Sequence, residues 1–76
     1  MLEFLVQCEA FIYSKWQAIA RYDTKHDHVH LDLMSKDGSV KKKWFYHMDF
    51  NEGLNYSYED IENNWARYKE TYLAGR

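Results

Sequence analysis

The sequence predicts an α+β fold: a four-stranded antiparallel β-meander followed by one long C-terminal α-helix packed on one face. Three observations carry that expectation. Residues 2–46 alternate apolar and polar side chains in four runs, the rhythm of half-buried strands. Residues 50–73 switch to apolar steps of three and four, the rhythm of a helix. The breaks between the runs are too short for crossover helices, so neighbouring strands pair antiparallel. The helix must then bury its stripe against the sheet.

The first strand spans about residues 2–13. Its even positions, Leu2, Phe4, Val6, Cys8, Ala10 and Ile12, are all apolar. Ser14 and Lys15 form a short break that lacks the glycine of a favourable two-residue hairpin. Alternation resumes over 16–23, with Trp16, Ala18, Ala20 and Tyr22 set against Gln17, Ile19, Arg21 and Asp23. Residues 24–27 are polar and turn-like. The third strand, 28–34, sets Val29, Leu31 and Leu33 against His28, His30 and Asp32. Asp37-Gly38 marks the next turn, because glycine supplies the positive φ that hairpins use. The fourth strand, 39–46, alternates Val40, Trp44 and Tyr46 with Lys41, Lys43 and Phe45.

The helix is marked at both ends. Asp49 and Glu52 have capping-box spacing, and Gly75 stands where a left-handed residue closes a helix. Its predicted stripe is Phe50, Leu54, Tyr58, Ile61, Trp65, Tyr68 and Tyr72. Gly53 opposes the assignment, costing about 1 kcal/mol relative to alanine.

Seventy-six residues make a single domain, 1–76, whose 18% aromatic content suits a thin core. A net charge of −2 gives no general attraction for nucleic acid. Cys8 is the sole cysteine, which excludes an internal disulfide and fits a small buried residue in a reducing cytoplasm. No signal peptide, membrane span or cofactor motif is legible.

With Leu2, Phe4, Val6, Trp16, Ala18, Ala20, Val29, Leu31 and Leu33 beneath the helix, the other face is open. Strict alternation puts the apolar residues Leu5, Phe11, Tyr13, Ile19, Met34 and Phe45 there, a candidate interaction face. They mingle with Glu3, Gln7, Glu9, Gln17, Arg21, Asp23, His28, His30, Asp32, Lys41 and Lys43. A protein partner or a second copy of the chain would cover such a surface.

The only chemically suggestive stretch is residues 21–32, with three histidines, three aspartates and an arginine around one turn. Metal binding lacks a helical HExxH or paired-cysteine pattern. Metal-independent acid–base chemistry could use Arg21, Asp23, His26 and His30: arginine to hold a phosphate, histidine to move protons, aspartate to orient a histidine. A solvated, structural cluster is the third reading.

Arg21-Tyr22-Asp23, followed by His26 and His30, resembles the R-Y-D-N…H…H signature of TumE-type toxins of prokaryotic toxin–antitoxin pairs. Thr24 stands where that signature has asparagine, and the long aromatic helix is foreign to it. The chain also resembles small uncharacterised prokaryotic proteins with an R-Y-D-T-x-H…H-x-D motif, an Asp-Gly turn and a final N-W-x-x-Y helix. Here the last two are Asp37-Gly38 and Asn64-Trp65-Ala66-Arg67-Tyr68. The resemblance implies a cytoplasmic prokaryotic protein encoded beside a partner. The expected function is a partner-binding or toxin–antitoxin-type module acting through its open sheet face. The alternative is a toxin-like ribonuclease, with RNA as substrate, using Arg21, Asp23, His26 and His30.

Overall fold

The computed structural model describes residues 3–25 and 28–75. Its elements are β1 (Leu5–Ile12), β2 (Lys15–Lys25), β3 (His28–Met34), β4 (Val40–Phe45) and α1 (Phe50–Ala74). The strands form one antiparallel sheet in the order β1-β2-β3-β4, and α1 packs against it. This is the predicted α+β meander with a C-terminal helix. Leu2, placed in the core on sequence grounds, lies outside the described residues.

The turns follow from local chemistry, with one exception. Gly38 takes φ 90° between β3 and β4, and the Asp37 carboxylate accepts hydrogen bonds from the Ser39 backbone and hydroxyl. Those bonds lower the Asp37 pKa below its ordinary value. The exception is the β1–β2 hairpin. Pairing of Ile12 with Lys15 makes Tyr13-Ser14 the two-residue turn, one position before the predicted break. Both residues are left-handed, at φ 52° and 65°. That conformation costs a side-chain-bearing residue about 1–2 kcal/mol. Ser14→Gly is therefore expected to stabilise the fold by about 1 kcal/mol and raise Tm by about 4–8 °C. An unchanged or lower melting temperature would show that Ser14 carries no such strain.

The capping box forms as expected: Asp49 accepts from the Glu52 backbone at 2.8 Å, and Glu52 accepts from the Asp49 backbone at 3.0 Å. Gly75, at φ 73°, closes the C-terminus. The Lys36 backbone N–H donates to the Tyr72 carbonyl, tying the β3–β4 turn to the end of the helix. At a rise of 1.5 Å per residue, twenty-five residues span about 37 Å. The longest dimension of the molecule, 36 Å, is thus set by α1.

The buried stripe of α1 differs from the predicted one. Phe50, Leu54, Ile61, Tyr68 and Tyr72 lie against the core as predicted, but Tyr58 and Trp65 are exposed, and Gly53 and Ser57 are buried in their stead. Counting apolar and aromatic residues misses Gly53 and Ser57, because the closest contact is made by the residue with no side chain. A Cβ on Gly53 would stand 2.6 Å from Val29 Cγ2 and 3.3 Å from Phe4 Cζ. Gly53 lets the helix backbone settle onto β3 and onto Phe4, just ahead of β1, and this close approach answers the propensity objection.

The core comprises Val6, Cys8, Ala10 and Ile12 of β1, Ile19, Ala20 and Tyr22 of β2, Val29 and Leu31 of β3, Phe45 and Tyr68. Cys8 is the buried small residue expected, and burial pushes its thiol pKa up, away from reactivity.

Two departures from strict alternation change which residues face away from the helix. A bulge shifts register between Cys8/Glu9 and the opposing Ala20/Ala18, leaving Ile19 as the extra residue. Ile19 and Ala20 are both fully buried, while Trp16 is exposed and pairs with Phe11 across the strands. The predicted placement of Trp16 and Ala18 beneath the helix, and of Ile19 and Gln17 on the open face, is therefore reversed. Gln17 meets the Tyr72 hydroxyl of α1. In β4 the pairing of Phe45 with Val29 and of Trp44 with His30 carries Phe45 to the helix side and Trp44 to the open side. Phe45 is buried against Tyr22 and Tyr56. Ile19 and Phe45 accordingly leave the candidate interaction face, and Met34 is only half-buried there.

Candidate functional site: the open face of the sheet

The face away from α1 has two zones. At the β1–β2 hairpin, Phe11 and Trp16 stand edge to face at 5.5 Å, flanked by the exposed Tyr13, with Leu5 exposed further along β1. Across β2, β3 and β4 lies a polar and aromatic cluster of Arg21, Asp23, His28, His30, Asp32, Lys42, Trp44 and Tyr46.

Strand register assembles that cluster. Asp23 lies directly opposite His30, Arg21 opposite Asp32, and Trp44 opposite His30 on the other side. His30 packs its ring on Trp44 at 4.8 Å, Trp44 stacks on Tyr46, and His28 meets Tyr46 edge to face at 4.8 Å. His30 Nε2 stands 3.6 Å from Asp32 Oδ2, beyond hydrogen-bond length. Asp32 Oδ1 accepts from Lys42 Nζ at 2.9 Å.

Of the four residues predicted to act together, Arg21, Asp23 and His30 share this face, and His26 lies outside the described residues. His30 is only 1% exposed, however. Its Nδ1 and the Arg21 Nε are buried with no hydrogen-bond partner among the described residues. A ring this enclosed holds a platform for Trp44 better than it shuttles protons to a substrate. No group of three metal-ligating side chains occurs among the described residues.

Trp44, Tyr46 and Lys42 were missed as members of this face. The signal was present: the Asp37-Gly38 turn fixes Met34 opposite Val40, and counting back along the strands puts Trp44 beside His30.

A second polar constellation joins helix to sheet. Asp60 Oδ2 accepts from the Tyr22 hydroxyl at 2.6 Å and from the Tyr68 hydroxyl at 2.5 Å, while Oδ1 accepts from Asn64 Nδ2 at 2.7 Å. A shallow depression of about 260 Å³ opens beside it, lined by Tyr56, Glu59, Asp60, Asn63 and Asn64. Burial, then the bond to Asp60 and its negative charge, raise the Tyr22 pKa far above the ordinary 10. The same causes push Tyr68 up to about 12, with nearby Arg67 acting against them.

The sign of the pH effect follows. Both phenols hold their protons more tightly folded than unfolded, so their contribution is complete below pH 10 and falls as pH rises from 10 towards 12. Tyrosinate absorbance is expected to show Tyr22 and Tyr68 titrating late and together with unfolding. Independent ionisation of all the tyrosines near pH 10 in the folded protein would contradict this.

Comparison with known proteins yields a match over residues 1–76 to a domain of unknown function, DUF7718. The chain belongs to that family. No curated protein and no solved structure matches it. No helix among the described residues is long and apolar enough to cross a membrane.

Proposed function

We propose that this member of the DUF7718 family is a protein-binding module whose working surface is the open face of the sheet. The observation that supports it is the one-sided packing of α1. The opposite face keeps Leu5, Phe11, Trp16 and Tyr46 each more than half exposed, and exposed aromatic groups of this density mark contact surfaces. The polar cluster around His30 forms a ready-made rim for such a contact. The resemblance to toxin–antitoxin components supports a cytoplasmic prokaryotic setting with a separately encoded partner.

The test is isolation of the tagged chain from its own cells at native abundance. Wild-type protein should carry a stoichiometric partner protein, and a Trp16→Ser/Tyr46→Ser variant should lose it without a change in melting temperature. Retention of the partner by that variant, or recovery of wild type with no second protein, would contradict the reading.

A second reading, a ribonuclease, draws on Arg21, Asp23 and His30 sharing one face. It requires the chain expressed alone to arrest growth with RNA cleavage, and His30→Ala to relieve it. Normal growth with abundant folded wild-type protein would remove it.

A further inference from the structure

We infer that two copies of this chain pair through the free edge of β1, joining their sheets into one of eight strands. The two edges of the sheet are built differently. The β4 edge carries Lys41, Lys42 and Lys43, the kind of charge run that repels another strand. The β1 edge, LVQCEAFI, has eight residues, no proline and one charge, Glu9. The extra residue of the bulge sits on β2, so β1 runs regularly. Among the described residues, no backbone bond from a turn, loop or cap reaches β1. A long regular edge with free N–H and C=O groups is a template for another strand.

Symmetry then selects one register. A two-fold axis perpendicular to an antiparallel sheet passes between two copies of the same residue, and residues directly opposite share a face. Centring on Glu9 would set two carboxylates against each other, and centring on Gln7 would set Leu5 against a carboxylate. Centring on Cys8 sets Leu5 against the partner's Phe11, Gln7 against the partner's Glu9, and Val6 against the partner's Ala10. Apolar meets apolar on both faces, and the one charge meets an amide. Gln7 and Glu9 are exposed and already hydrogen-bond within the strand at 2.7 Å, so both project together on the open face.

The helices leave room. α1 meets β1, β2 and β3 evenly, and Tyr22 and Gln17, the sheet residues bonded to its side chains, both belong to the middle one, so α1 is centred over β2. In the paired sheet the two β2 strands stand three strand spacings apart, about 14 Å. A helix with its side chains is about 10–12 Å across, so the two helices lie side by side without collision. The pairing stands on the strand edge, independently of the face used in the proposed function, and it doubles that face.

Light scattering on the purified full chain over a dilution series tests the inference. The expected particle is twice the 9.3 kDa monomer at high concentration and dissociates on dilution. Gln7→Glu places like charges across the axis twice and should weaken pairing about tenfold, whereas Gln7→Lys should tighten it severalfold. The Trp16→Ser/Tyr46→Ser variant should still dimerise, which separates failure of this inference from failure of the binding-module reading. A monomer at every concentration overturns it. So does a particle that grows without limit, the sign of head-to-tail pairing of β1 with the lysine edge of β4. Dimerisation that shifts in the same direction for Gln7→Glu and Gln7→Lys overturns it too.

Discussion

Asp60→Ala is expected to cost about 3 kcal/mol, the largest loss from any single polar substitution in this chain. The carboxylate accepts three side-chain hydrogen bonds, two of them from phenols of the largely buried Tyr22 and Tyr68. Bonds to a charged acceptor contribute about 1.5–3 kcal/mol each, and the orphaned hydroxyls add their own desolvation penalty. Relief from desolvating the carboxylate offsets part of the sum. A domain of this length has only about 4–11 kcal/mol in total. With a urea slope near 1 kcal/mol/M, the midpoint should fall by roughly 3 M. Tyr68→Phe, which removes one donor and leaves the other two, should cost only about 1 kcal/mol. Equal effects for the two substitutions would mean that Asp60 is not the hub.

Gly53→Ala is expected to destabilise the protein even though alanine is the better helix former. Propensity alone favours the substitution by about 1 kcal/mol. The new methyl would meet Val29 Cγ2 at 2.6 Å, however, and Val29 is fully buried and, being β-branched, stiff at χ1. Overpacking of this kind costs about 1–3 kcal/mol, so the net change should be a loss of about 1–2 kcal/mol. Gly53→Leu should go further and lift the first turns of α1 from the sheet. A rise in the urea midpoint for Gly53→Ala would show that helix and sheet meet less closely than described.

Gly53 also shows where sequence reading reaches its limit. The capping box at Asp49 and Glu52, the glycine closure at Gly75 and the Asp37-Gly38 turn are local chemistry, and all three stand as read. Strand order and helix existence follow from periodicity over many residues and were legible too. The facing of individual residues was not. One inserted residue at Ile19 reverses the parity of β2 on either side of it, and nothing in AIAR distinguishes a bulge from regular strand. β4 lies beside the footprint of α1 rather than under it, so Lys41 and Lys43 can point to the helix side and still reach water. Lys43 even lies 5.4 Å above the buried Phe45 ring. Alternation reports burial, and at the margin of a one-helix cover burial no longer reports face.

For the candidate site the same split applies. Period two along β3 correctly brought His28, His30 and Asp32 to one side, and Arg21 and Asp23 joined them through register. The enclosure of His30 by Trp44 and Asp32 depends on β4, whose facing was misread. In the Tyr22–Asp60–Tyr68 knot, Tyr22 and Asp60 stand 38 residues apart in sequence, and their pairing had no local signal. Asp60 falls between two stripes of the helix and reads as a solvated acid until the rotation of α1 is known.

Hydroxyl-radical footprinting of the intact chain tests most directly whether α1 seals one face and leaves the other bare. Phe11, Trp16 and Tyr46 should oxidise rapidly, while Ile19, Tyr22, Val29 and Phe45 stay protected until global unfolding. Comparable labelling of Tyr22 and Phe45 in the folded protein, or protection of Trp16 and Tyr46 in the dilute monomer, would contradict the one-sided architecture on which the binding surface rests.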